Sequence, residues 1–427
     1  MNVLRADTFP AEAVRERARA GTAAAFPPLG EYGRTLFGAE RPHETDELDA
    51  ARLVPPVFVP RRLEKLIELA REPVYRDVVL DTEIGGFRSP LPVYLSAFGS
   101  TQVASVDLGV AASAQAGRLG IPMVVGENVV PVDGYRRVGG AAGARSLLGR
   151  ITAYADALPD RFGGLVVQQS TEDADAEVWN LVYSDPSARS LLESGRLGFE
   201  LKVGQGAKPG LGGMTVLDAP AAARLGDAFD VDAVFGPGAD RQLRCASPGT
   251  FTEEVLRQQI RLMRNNFPRA RVWVKLPPGR DVGLAASVAW EAGTDAVTVD
   301  GAEGGTGWAP MSFLDHVGLP LAECLRRVGE PAGCLLASGR MWEGTRAVKS
   351  LALGARAVGL GRAALIAVDT DAGRGLANLV ECLALEMRLL ISALGKYTPA
   401  DLGVDDVWRS AAQVREPVAE PMGGVRG

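Results

Sequence analysis

Polar and charged side chains stand near the ends of several short apolar runs. Glu127 follows MVVG in the run at 121–128, and Lys275 lies in VWVKL within 271–279. A charged group beside an apolar strand is costly to bury without a partner. If these runs are the strands of one barrel, their ends converge on one mouth and indicate a bound anionic ligand. The complete set at such positions is Ser96, Glu127, Gln168, Lys202, Lys208, Lys275, Asp300, Ser338 and Arg340.

Two glycine-containing turns predict a phosphate site. SGR at 338–340 and GLGR at 359–362 follow the last two apolar runs, and Gly344 opens the next helix. Glycine lets backbone N–H groups approach a phosphate, and a helix N-terminus adds a favourable dipole. Plain turn glycines are the alternative. Because loops 7 and 8 of a barrel commonly hold phosphate, the paired placement favours the phosphate interpretation.

Two further glycine-rich segments could surround a ligand. DGAEGGTG at 300–307 follows a buried strand, which favours backbone packed against a flat or bulky ligand over a mobile surface loop. GQGAKPGLGG at 204–213 combines Lys208 with a backbone restricted by glycine and proline. Lysine is a natural partner for a carboxylate substrate.

The elements that position these residues read as eight short strands separated by helices. Helical stretches at 104–119, 252–267, 282–292 and 345–354 alternate with the apolar runs, which predicts a parallel sheet covered on its faces. Eight such units predict an α/β fold of the closed (β/α)8 TIM barrel type. An open, doubly wound sheet would need a G-x-G-x-x-G turn after its first strand, and SAFGSTQ stands there instead. The eight predicted strands lie in 91–99, 121–128, 163–169, 198–206, 271–279, 295–301, 333–339 and 356–362.

The barrel is expected to occupy residues 89–400. Residues 1–88, partly helical and partly rich in proline and glycine, predict an N-terminal extension packed on the barrel, and 401–427 a C-terminal tail. A long amphipathic helix is predicted at 373–394. The connection at 206–250 is long enough to be a functional segment or a lid.

Composition excludes several classes of protein. The net charge of −6 and the lack of a basic run argue against nucleic acid. No apolar run approaches the roughly 20 residues of a membrane span, and the mixed charges of the first residues do not resemble a secretory signal, so the cytoplasm is the expected location. With only two histidines, a zinc site that uses two or more of them is disfavoured. The four cysteines, none at C-x-x-C spacing, predict reduced thiols.

Several motifs, in order along the chain, resemble the FMN domain of glutamate synthases. GQGAKPGLGG is similar to the family's QGAKPGEGG, and VWVKL to its V-x-VKL strand. DGAEGGTGWAPMSFLDHVGLPL at 300–321 resembles the family's DGxDGGTGASPxxxxxHxGLPxE. SAFGS at 96–100 matches the family's SAMSFGS with a deletion. The resemblance covers roughly residues 80–365, and several ordered motifs make it specific.

The resemblance implies a barrel that holds FMN at its mouth. Gln168 and Lys275 would contact the isoalloxazine, while Lys208 and Glu127 would face the substrate as the catalytic candidates. A lysine there favours hydride acceptance, because reduced flavin is an anion. Strand parity alone leaves open whether Lys275 points inward. The implied cofactor-binding set is Ser96, Ala97, Gln168, Lys275, Gly304, Gly305, Thr306, Ser338, Gly339, Arg340, Gly359, Gly361 and Arg362.

Departures from the family pattern change the expected chemistry. The cysteine cluster after the eighth strand is missing and Cys382 stands alone, so no iron–sulfur cluster is expected. Leu211, Ala302 and Trp308 replace family residues near the substrate. We therefore predict an FMN-dependent oxidoreductase that acts on the C–N bond of an amino or imino acid by hydride transfer at flavin N5.

Three alternatives stay open. The first is a flavin-binding subunit without independent activity. The second is a 2-hydroxy-acid-oxidase type of enzyme, which needs a histidine base and has only His316 as a candidate. The third is a flavin-free barrel for a sugar phosphate, which leaves Gln168 unexplained. A partner protein that donates electrons or supplies ammonia, and a homo-oligomer, also belong to the hypothesis.

Overall fold

Eight parallel strands close into a barrel, as predicted. The computed structural model describes residues 9–25, 46–98, 108–127, 129–130, 134–136, 143, 145–170, 177–206, 215–225, 230–232, 241–244, 251–304 and 311–409. The barrel strands are β1 Val93–Phe98, β2 Met123–Val125, β3 Leu165–Ser170, β4 Leu197–Lys202, β5 Arg271–Leu276, β6 Ala296–Asp300, β7 Leu335–Ser338 and β8 Ala357–Leu360. Each strand pairs in parallel with its sequence neighbour, and β8 pairs with β1 to close the cylinder. The fold class is therefore confirmed.

Helices return the chain between consecutive strands and cover the barrel. The helices of the described residues are α1 Ala11–Ala20, α2 Glu47–Ala50, α3 Pro60–Leu69, α4 Leu108–Leu119, α5 Leu147–Ala155, α6 Glu177–Ser184, α7 Arg189–Glu193, α8 Ala219–Leu225, α9 Glu253–Asn266, α10 Val282–Glu291, α11 Met311–His316, α12 Leu321–Val328, α13 Gly344–Ala352, α14 Arg362–Thr370 and α15 Gly375–Ala393. Thr252 caps α9, since its side chain accepts a hydrogen bond from the Val255 N–H. None of these helices is long and apolar enough to cross a bilayer.

Alternation along each strand separates two apolar cores. Outward side chains such as Phe199 and Val274 join a cluster shared with the helices, while inward ones such as Tyr94 and Trp273 form a second cluster inside the barrel. This is the pattern expected when successive strand residues point to opposite faces. The interior of the barrel is apolar at the amino-terminal ends of the strands, where this second cluster lies. At the carboxyl ends the inward side chains are polar.

A short hairpin closes the amino-terminal end of the barrel. Its strands, Thr82–Ile84 and Phe87–Ser89, join through Gly85 and Gly86. Gly85 has φ +54°, and a Cβ there would lie 2.4 Å from Nε1 of Trp273. The same indole N–H donates to the Gly85 carbonyl oxygen over 3.0 Å. A side chain at Gly85 would therefore displace the tryptophan that fills this end of the barrel.

The described parts of the N-terminal extension contact the barrel. Val14 and Ala18 of α1 and Leu48 of α2 belong to the outer core cluster, and α1 packs on α14 and α15. Two residues of the extension, Arg52–Leu53, pair with Val407–Trp408. The extension and the chain after α15 are thus joined on one side of the barrel.

The connection predicted at 206–250 carries a small sheet of its own. Its described strands, Thr215–Asp218, Val231–Asp232 and Arg241–Arg244, are antiparallel, with the last in the middle, and α8 follows the first. The sequence indicated only a long, glycine-rich connection here. Its role as a lid stays a prediction.

Candidate active site

The carboxyl ends of the strands hold a buried layer of polar side chains. Ser96, Gln168, Lys275, Asp300 and Ser338 occupy inward positions, and each is at most 5% exposed. In the cross-strand register Asp300 lies beside Ser338, and Lys275 lies beside Thr298. Lys275 points into the barrel, which answers the parity question that the sequence left open. Burial of so many polar groups requires that they bind one another or a ligand.

Lys275 is held by Asp300. Its Nζ lies 3.3 Å from Oδ2 of Asp300, and both side chains are nearly inaccessible. Ser338 donates its hydroxyl to Oδ1 of Asp300 over 2.7 Å, and the Gly206 N–H donates to Oδ2 over 3.1 Å. Burial would lower the pKa of Lys275, but the charges of Asp300 and Glu200 outweigh it and raise that pKa. The result is a positive charge fixed at the mouth of the barrel.

Glu200, which the sequence did not single out, lies at the centre of the layer. It is 1% exposed and accepts hydrogen bonds from Nε2 of Gln168 and, over 3.3 Å, from the hydroxyl of Thr298. Burial raises the pKa of Glu200 above its usual range, although Lys275 opposes that shift. The available signal was the alternation in GFELK, which places Glu200 and Lys202 on the same inward face.

Glu127 and Lys202 form a second ion pair at the mouth. The ammonium of Lys202 contacts Oε1 of Glu127, and the two side chains are 13% and 12% exposed. Burial would raise the pKa of Glu127, but Lys202 outweighs it and holds that pKa below its usual value of 4.5. Glu127 was expected to face the substrate, and in the structure it is already paired with a cation.

This pair predicts an acid-dependent contribution to stability. Because the folded state lowers the pKa of Glu127, its stabilisation is fully present above the unfolded pKa and is lost as the pH falls through the folded one. Urea unfolding should therefore show Glu127→Gln less stable than the wild type near about pH 7, with the difference shrinking below about pH 4.5. Substitution of the exposed Glu83 by glutamine serves as the control. A difference independent of pH would contradict the role of Lys202.

The two arginines assigned to phosphate are engaged by the extension. Arg340, with φ +56°, contacts Asp49 and lies 3.7 Å from Asp46. Arg362 donates to the Glu303 carbonyl oxygen over 2.5 Å, and its guanidinium lies 4.7 Å from the ring centroid of Phe9. The sequence did not indicate that residues 9 and 46–49 would reach this side of the mouth.

The three glycines predicted to bind phosphate differ in their surroundings. A Cβ on Gly359 would lie 2.6 Å from the Tyr94 ring, so this glycine makes room inside the barrel. A Cβ on Gly361 would meet nothing within 4 Å, so its backbone faces open space. The N–H of Gly344 donates to a carboxylate oxygen of Glu386 over 2.6 Å. The Glu386 carboxylate therefore occupies the position at the start of α13 where a phosphate was predicted. Of these three glycines, Gly361 is the one with room for a phosphate.

Gly304 and Gly339 fit tightly beside the same layer. A Cβ on Gly304 would lie 2.6 Å from Oδ1 of Asp300. Gly339 has φ +137°, a conformation that favours glycine, and a Cβ there would approach the Gly301 nitrogen to 3.2 Å. Ala97 is partly buried next to this layer on β1. Lys208, Gly305, Thr306, Leu211 and Trp308 lie outside the described residues.

Part of the chain matches a known family. Residues 189–376 match the model described as the conserved region in glutamate synthase. An archaeal-type glutamate synthase [NADPH] of Dehalococcoides mccartyi is 33% identical over 186 residues, 42% of this chain and 36% of that protein. A glutamate synthase large subunit-like protein of Rhizobium meliloti is 33% identical over 185 residues, 40% of each chain. This region of the chain is therefore similar to the conserved region of glutamate synthases, and the chain spans 36% and 40% of the length of these two relatives.

Solved structures share the fold at lower identity. A soluble mutant of (S)-mandelate dehydrogenase from Pseudomonas putida has a TM-score of 0.53 and 18% identity, with 94% of this chain and 99% of that one covered. A flavocytochrome b2 mutant with bound sulfite has a TM-score of 0.54 and 16% identity, with 88% and 80% covered. At this identity the likeness shows the barrel fold alone.

Proposed function

We propose that the protein is an FMN-dependent oxidoreductase that acts on the C–N bond of an amino or imino acid. The observation that carries the proposal is the inward Lys275, buried and held by Asp300 beside Gln168 at the mouth of the barrel. The match to the conserved region in glutamate synthase supports both the cofactor and the substrate class.

The residues present fit an FMN molecule. A flavin ring needs a cation near its pyrimidine edge and amide groups along that edge, and Lys275 and Gln168 are of these types. Its phosphate needs free backbone N–H groups, for which the open space beside Gly361 is suited. Ser96, Ala97, Gly304, Gly339 and Ser338 would complete the cofactor contacts, as would Gly305 and Thr306. Arg340 and Arg362 would contribute positive charge from beside the phosphate while bound to the extension.

The chain's own residues would bind and orient the reactants. When bound, FMN supplies a reversible two-electron acceptor at N5. Lys275 would place a positive charge beside the ring, and Asp300 already holds that charge in position. Lys202 and Lys208 would offer cations for a substrate carboxylate, and Glu127 would orient an amino or imino group. We propose Lys208 and Glu127 as the catalytic pair.

The proposal covers the cofactor set and the partners as well. FMN is proposed as the redox group without an iron–sulfur cluster, since Cys382 stands alone in the stretch after β8. Electrons would then come from a diffusible donor, a partner protein or the substrate itself. A cytoplasmic location and a homo-oligomer complete the proposal. Oxidation of a 2-hydroxy acid is disfavoured, because the exposed His316 lies on α11 and not at a strand end.

The first test is the visible absorption spectrum of the purified protein. We expect a flavin spectrum, release of FMN by acid, and no iron by elemental analysis. Anaerobic addition of single amino acids should then bleach the flavin when the correct substrate is present. A protein that binds FMN but is reduced by no donor would favour the flavin-binding subunit. A colourless protein that also fails to take up added FMN would refute the proposal and return the phosphate turns to another ligand.

A further inference from the structure

Glu200 is a buried acid for which the proposed reaction has no direct use. It lies inside the barrel between Gln168 of β3 and Thr298 of β6, and it is 1% exposed. Burying a carboxylate at this depth is expensive unless every oxygen is satisfied. Trp273, the register partner of Glu200 on β5, and Leu336 of β7 are inward and apolar, so an apolar residue would suit position 200 if it had no function. The position therefore points to a role in the polar layer at the carboxyl ends of the strands.

We propose that Glu200 is a positioning residue of the flavin site, which orients the Gln168 amide and offsets the charge of Lys275. This inference rests on the proposed function. The hydrogen bonds of Glu200 go to Gln168 and Thr298, and not to the Glu127–Lys202 pair. It would act through Gln168 and Lys275, the two residues that the family resemblance assigns to the isoalloxazine.

The first part of the role is geometric. An ionised carboxylate only accepts hydrogen bonds, so Gln168 turns its Nε2 towards Glu200. The carbonyl oxygen of the same amide is then the group left to accept a hydrogen bond from a ligand. Thr298 donates to the other carboxylate oxygen and holds Glu200 in place. A glutamine at position 200 could donate as well as accept, and would leave both amide orientations open.

The second part of the role is electrostatic. Lys275 carries one positive charge against the two carboxylates Glu200 and Asp300, and burial strengthens these interactions. Burial raises the pKa of Glu200, while Lys275 and the hydrogen bonds from Gln168 and Thr298 oppose that shift and favour the carboxylate. The polar and titratable groups that act on Glu200 are Tyr94 of β1, Glu127 after β2, Gln168 of β3, Lys275 of β5 and Thr298 of β6, while Asp300 of β6 shares Lys275 with it. An ionised Glu200 would oppose electrons added to a ring beside Lys275.

The test compares Glu200→Gln with the wild type as FMN-loaded protein. Dye equilibration measures the midpoint potential of bound FMN between about pH 6 and pH 9, and fluorescence titration measures FMN affinity. We expect Glu200→Gln to have a higher potential than the wild type, because a buried carboxylate that faces Lys275 is replaced by a neutral amide. We also expect at least threefold weaker FMN binding. Glu193→Gln, on the exposed side of α7, should match the wild type in both readouts.

Each outcome decides the proposal. Potentials that coincide for Glu200→Gln and the wild type would show that Glu200 is only a structural anchor. If Glu200→Gln does not fold, Thr298→Val removes one hydrogen bond and keeps the charge, and an unchanged FMN affinity there would count against the positioning role. A wild type that binds no FMN overturns the proposed function first, and this is seen before any variant is compared.

Discussion

Lys275→Met is expected to lose FMN and much of its stability together. Replacing the ammonium removes a charge-assisted contact worth about 1.5–3 kcal/mol, so FMN affinity should fall by about 10- to 100-fold. The same change leaves Asp300 and Glu200 buried without their cation. Breaking a buried pair in this way costs about 3–5 kcal/mol of unfolding free energy. Fluorescence titration with FMN and urea unfolding measure the two effects separately.

A double variant separates the two roles of the lysine. Lys275→Met/Asp300→Asn removes both charges of the pair, so most of the lost stability should return while FMN affinity stays low. Lys65→Met removes a lysine of α3 that pairs with the exposed Glu68 away from the barrel mouth, and it should change neither quantity. If Lys275→Met retains FMN with wild-type affinity, the assignment of this mouth to flavin is wrong, whatever its stability.

The barrel could be predicted because its strands are covered on both faces. Such strands read as continuous apolar runs, and those ending near Gln168 and Asp300 match β3 and β6 within a few residues. The side-chain period of two also limits where polar groups can point. Once the inward face of each strand is known, this alternation predicts that Lys275, Asp300 and Ser338 all point into the barrel.

Contacts between distant segments could not be predicted. Arg340 and Asp49 are 291 residues apart, and nothing local in either segment indicates the pairing. Gly344 looked like the open start of a helix, but Glu386 binds its N–H from α15. Glu200 lies between Phe199 and Leu201 in β4, and its hydrogen-bond partners come from two other strands. In each case the missing information was the tertiary position of a partner.

Arg346 shows how much of the mouth depends on such distant partners. Its side chain is fully buried and bonds Asp46 at 2.7 and 2.8 Å, Asp49 at 2.8 Å and Glu303 at 2.6 Å. It also donates to the Gly339 carbonyl oxygen over 3.1 Å. Burial alone would raise the pKa of Asp46, but Arg346 outweighs it and lowers that pKa. One guanidinium thus joins the extension to the loops after β6 and β7.

Arg346→Met is expected to cost about 3–5 kcal/mol of unfolding free energy, because three carboxylates lose a buried cation. Hydrogen exchange should show faster exchange in residues 46–50 and in the loop that contains Gly339, since both lose the group that joins them. Arg346→Lys keeps the charge but not the planar fork, and should recover only part of the stability.

The matched control is Arg189→Met, which removes an arginine from an ion pair with Glu193 on the surface of α7. Because both side chains are largely exposed, its unfolding free energy should stay close to that of the wild type. Equal losses in Arg346→Met and Arg189→Met would mean that the buried cluster contributes no more than a surface pair. A loss confined to Arg346→Met, with faster exchange at 46–50, would establish that the extension is anchored to the mouth through this guanidinium.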